Sequence, residues 1–60
     1  MDKHQIQYMV VQKNQTTYIA IEEQEAPNHI IAAVEVQERM KKTIDPTGLL
    51  GTNVIVNLNK

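Results

Sequence analysis

His4 and His29 are the two side chains in this sequence best suited to bind a metal or carry a proton near neutral pH. They stand far apart, and neither belongs to an HxH, HxxxH or histidine–carboxylate cluster. Read from the sequence, His29 is a surface residue in the first turn of a helix and His4 lies in a frayed terminus, so no metal ligand is assigned. Serine and cysteine are both absent, which removes the usual nucleophiles of covalent catalysis. No catalytic residue is assigned, and the chain is read as not an enzyme. "GLLG", Gly48 to Gly51, has the glycine spacing of a phosphate-cradling loop. Such loops open a helix or carry basic residues, whereas this one follows a helix and contains no Lys or Arg. No cofactor site is expected.

Two charged clusters have simpler explanations than a ligand. Glu22, Glu23 and Glu25 precede a helical segment and are expected to complement its positive end, with Arg39, Lys41 and Lys42 at the negative end. Glu35 and Glu38 interleave with those cations, the pattern of a solvated face. "MKKTIDPTGLLGTN" resembles the closing segment of some large flavin-dependent oxidases, a likeness of about a dozen residues of turn chemistry in a chain too short for a flavin-binding domain. Tautomerases of similar length use an N-terminal proline where this chain has Asp2. Ribbon-helix-helix repressors need a second helix and a basic ribbon, and neither is evident. No family is recognised across the length.

The elements follow from periodicity. "QIQYMVVQ" alternates Ile6, Tyr8 and Val10 with Gln5 and Gln7, then adds Met9 and Val11 to the second face. "TTYIAIE" sets Thr17, Ile19 and Ile21 on one face and Tyr18 and Ala20 on the other. Between them Lys13-Asn14-Gln15 suits a hairpin loop, because Asn tolerates left-handed backbone. Residues 22 to 28 break the strand pattern, with Pro27 placed in the first turn of a helix. That helix is expected to present Ile30, Ala33, Val34, Gln37, Met40 and Ile44 as its apolar stripe. Strand character over residues 29 to 36, with a short helix after it, is the competing reading. Asp45-Pro46 stops the helix, Leu49 and Leu50 are expected to fold back as a lid, and Val54, Val56 and Leu58 share one face of a last strand. The fold class is α+β: a small antiparallel sheet with one helix packed on it, order β-β-α-β, in a single domain over residues 1 to 60.

Composition then bounds the function. A sixty-residue monomer buries only about 60% of the surface its unfolded chain exposes. With no cysteine and only Tyr8 and Tyr18 as aromatic rings, neither disulfides nor a large aromatic core can compensate. One helix covers one sheet face, yet both faces of the hairpin are apolar. The second face therefore calls for a partner. The expectation is a homo-oligomer, most simply a dimer, with Tyr8, Met9, Val11, Tyr18 and Ile19 at its interface; an unidentified protein is the other candidate partner. Six basic against seven acidic residues give a net charge of -1, which disfavours nucleic acid as a partner. No segment is apolar enough for a membrane span. The function expected is that of a small cytoplasmic interaction or regulatory protein of bacterial or phage origin. The alternatives are a nucleic-acid-binding module using the sheet face with Tyr8, Tyr18 and Lys13, and a small enzyme with a site at an oligomer interface.

Overall fold

Alternation and a left-handed asparagine build the first half of the molecule. In the computed structural model, which describes residues 2 to 58, strands β1 (Asp2–Val11) and β2 (Tyr18–Ala26) form an antiparallel hairpin. Asn14 adopts φ 61° in the loop, and the Gln15 N–H donates to the Gln12 carbonyl at 3.3 Å. The register pairs Val10 with Tyr18, Met9 with Ile19 and Tyr8 with Ala20. Both strands run further than their apolar cores. Glu22 to Glu25 do not break β2, which continues to Ala26, because this is an edge strand whose outward side chains reach water.

Helix α1 (His29–Ile44) starts at an Asn28 cap, whose side-chain oxygen accepts the Ile31 N–H at 2.9 Å. Residues 29 to 36 are helical, which settles the competition with a strand. Pro27 sits before the cap rather than in the first turn, and the first turn holds no acidic residue. The glutamates expected there belong to β2. Lys41 and Lys42 do occupy the last turn, where the helix dipole favours cations.

The helix lies on the sheet through a stripe that shares Ala33, Met40 and Ile44 with the one expected but is turned from Ile30 and Val34 toward Ala32 and Val36. Ala32, Ala33 and Val36 are buried, with Met40 and Ile44 packed against them, while Ile30 and Val34 are 65% and 47% exposed. Close approach decides the phase: two alanines let the helix backbone settle near the strands, which bulkier β-branched side chains would hold off. Gln37, placed on the same stripe by periodicity, stays exposed and donates to the Val54 carbonyl at 2.9 Å.

Strand β3 (Asn53–Val56) pairs antiparallel with β1, giving the order β2-β1-β3 with β1 in the centre. The core lies between α1 and one sheet face, where Ile6, Tyr8, Val10, Ala26 and Val54 meet the helix. The connection into β3 is organised by Asp45. Its carboxylate accepts the Leu50 N–H at 3.3 Å and the Thr52 N–H at 3.2 Å, while its carbonyl accepts the Gly48 N–H at 3.2 Å. Gly48 and Gly51 take φ 75° and 63°. With the backbone bent toward Asp45, Leu49 and Leu50 point to water, the former 85% exposed, and form no lid. Leu58 likewise lies beyond the end of β3 and is exposed. Among the described residues, no helix is long and apolar enough to cross a membrane.

Candidate interaction face

The sheet face opposite α1 is assembled by strand parity. Residues that alternate with the core side chains are Gln5, Gln7, Met9 and Val11 on β1, Ile19 and Ile21 on β2, and Ile55 on β3. Ile19, Met9 and Ile55 form one row across the three strands, because Met9 pairs with both of the others. Ile21 lies beside Gln7 one row away. Ile19 and Ile21 are 62% and 64% exposed, Ile55 51%, and Met9 and Val11 are half-buried. A shallow concavity of about 310 Å³ opens over this row. The face is apolar at its middle and polar at one end, where Lys3 Nζ lies 3.8 Å from Glu23 Oε1 between two exposed side chains.

Of the five residues expected at an interface, Met9, Val11 and Ile19 share this face. Tyr8 and Tyr18 do not. Tyr8 is 6% exposed beneath the helix, and Tyr18 is half-exposed on the helix side, since it pairs with Val10. Burial pushes the Tyr8 phenol above its ordinary pKa, Glu22 and Tyr18 add to the rise, and Arg39 opposes it. Ile21 and Ile55 were missed, although alternation held the signal for both: Ile21 follows Ile19 by two, and Ile55 stands between Val54 and Val56.

The other motifs resolve differently. Three of the four amides of "GLLG" are turned inward rather than toward a ligand: Gly48 and Leu50 donate to Asp45, and Leu49 donates to Thr47 Oγ1 at 3.4 Å. Burial alone would raise the Asp45 carboxyl, but the N–H groups of Thr52, Leu50 and Gly48 hold it below its ordinary value. Glu35 and Arg39 are bridged by Gln24 of β2, which donates to Glu35 Oε2 at 2.8 Å and accepts from Arg39 at 2.7 Å. His4 and His29, distant in sequence, are neighbours: their ring centroids lie 5.6 Å apart with the planes inclined at 68°.

No known protein decides among these surfaces. Comparison finds no matching family model, no matching curated protein and no matching solved structure. Their chemistry is the guide. A row of aliphatic side chains with a polar end offers dispersion and desolvation, which suit a second apolar surface. Among the described residues of the open face none is aromatic, so it provides no platform on which a nucleic-acid base could stack.

Proposed function

We propose that this chain is a non-enzymatic interaction protein whose working form is a homodimer closed over the open sheet face. The observation that carries the reading is the Ile19–Met9–Ile55 row, flanked by Ile21 and Val11, lying uncovered on the side away from the helix. Burying an exposed isoleucine contributes about 1.5–3 kcal/mol. Several together would reinforce a core in which three of the eight buried apolar residues are alanines.

Size and charge favour a second copy as the occupant. The strands β1, β2 and β3, of 10, 9 and 4 residues, at about 3.3 Å per residue and about 4.8 Å between strands, give a face of roughly 360 Å². Two such faces bury roughly 720 Å² by projection and more by accessible area, which approaches the lower bound of about 1,000 Å² for a specific interface. A two-fold axis along the Ile19–Met9–Ile55 row sets each strand antiparallel to its copy. It brings the Glu23 end of one sheet over the Lys13 loop of the other. The other in-plane axis, along the strands, stacks Lys3 on its own copy, a like-charge contact.

Ile19→Asp tests the face, with Ile30→Asp as its control. Both positions are largely exposed within one chain, so neither change removes core packing. Ile19→Asp is expected to halve the mass seen by light scattering and leave the circular dichroism spectrum unchanged, while Ile30→Asp keeps the dimer. Dissociation by Ile30→Asp alone would assign the contact to the outer face of α1 instead. Binding of a mixed oligonucleotide pool that weakens steeply with salt would favour the nucleic-acid reading.

A further inference from the structure

We propose that His4 and His29 form a binding site for a divalent transition-metal ion of the kind that favours imidazole, such as Zn²⁺, Ni²⁺ or Cu²⁺. The hairpin register places Asp2 of β1 opposite Ala26 of β2, and Pro27-Asn28 then turn the chain directly into α1. The first helical residue therefore lands beside the start of β1, which is why two histidines so distant in sequence meet.

The ring separation suits a shared ion. An imidazole nitrogen lies about 1.1 Å from its ring centroid and about 2.0–2.1 Å from a bound zinc ion, so two rings on one ion have centroids roughly 5–6 Å apart. The observed separation is 5.6 Å. The nitrogen roles agree with this. His4 Nε2 is 3.2 Å from the Ala26 carbonyl, and a carbonyl only accepts, so Nε2 carries the hydrogen and Nδ1 keeps its lone pair. A backbone carbonyl fixing the second nitrogen is the usual support of a metal-bound histidine. His29 Nε2 is shielded from solvent and has no hydrogen-bond partner among the described residues, a costly condition for a polar atom unless something else satisfies it.

A concavity of about 440 Å³ adjoins the pair, lined also by Lys3, Gln5, Gln7, Ile21 and Asn57. It has room for water ligands, and they are needed: among the described residues no third histidine, cysteine or carboxylate joins the cluster. Lys3 is the one cation lining it, and its ammonium group leans toward Glu23. The site is thus a two-imidazole site completed by water, at the polar end of the sheet where Gln5, Gln7 and Ile21 of the open face border it.

The test uses the full, untagged chain. Zn²⁺ and Ni²⁺ should raise the thermal midpoint and Mg²⁺ should not, with EDTA reversing the shift, since a ligand of the folded state stabilises it by mass action. Cu²⁺ should show an electron paramagnetic resonance signal split by two nitrogens. His4→Gln and His29→Gln should each abolish the thermal shift, and where a variant remains folded its copper signal should lose one nitrogen. An unshifted midpoint in the wild type, or a shift and a two-nitrogen signal that persist in both variants, would overturn the site.

Discussion

Asp45 shows how much of the molecule can depend on one side chain. It ends α1 and precedes Pro46; its carboxylate accepts two backbone N–H groups from the loop that delivers β3, and its backbone carbonyl accepts a third. Its carboxyl titrates below the ordinary value of 3.8 when folded. A depressed carboxyl contributes stability that is present above the unfolded pKa and lost as pH falls through the folded one. Urea unfolding at a series of pH values should therefore show wild-type stability declining below about pH 4, with that part of the decline missing in Asp45→Asn, which is also less stable at pH 7. An identical slope in both proteins would show that Asp45 is not responsible. Gly48 permits a second check. A Cβ there meets nothing within 4 Å, so φ 75° is the whole obstacle. Gly48→Ala is expected to cost about 1–2 kcal/mol through backbone strain alone, measured by chemical denaturation.

At the scale of elements, the sequence made some features legible and hid others for identifiable reasons. The hairpin was readable because Ile6, Tyr8 and Val10 alternate cleanly and Asn14 marks the turn. The extent of β2 was not, because Glu22, Glu23 and Glu25 look like loop or helix-end residues until their strand is known to lie at an edge. Helix phase was legible at Ala33, Met40 and Ile44 but not at Ile30 and Val34, which are more apolar than Ala32, yet close packing selects small residues. The phase can be measured. Val36→Ala, at a fully buried position, should cost about 2 kcal/mol as a lost side chain plus a cavity. Val34→Ala, on the outer face, should stay within about 0.5 kcal/mol of wild type. Reversed values would return the helix to the stripe read from periodicity.

For the whole molecule, the sequence held the reason for proposing self-association more clearly than the residues that would carry it. That both faces of β1 are apolar could be read from Met9 and Val11 beside Ile6, Tyr8 and Val10. The grouping of Tyr8 and Tyr18 with them could not survive strand parity, which turns both rings toward the helix. The meeting of His4 and His29 had no local signal, since it depends on the hairpin register and the start of α1 together. The central claim is that the uncovered row around Met9 is closed by a second copy. The measurement that tests it most directly is mass by size-exclusion chromatography with light scattering over a hundredfold range of concentration. The account predicts twice the 6.8 kDa chain mass, falling to the single-chain value for Ile19→Asp. A folded wild-type protein at the single-chain mass throughout would contradict it.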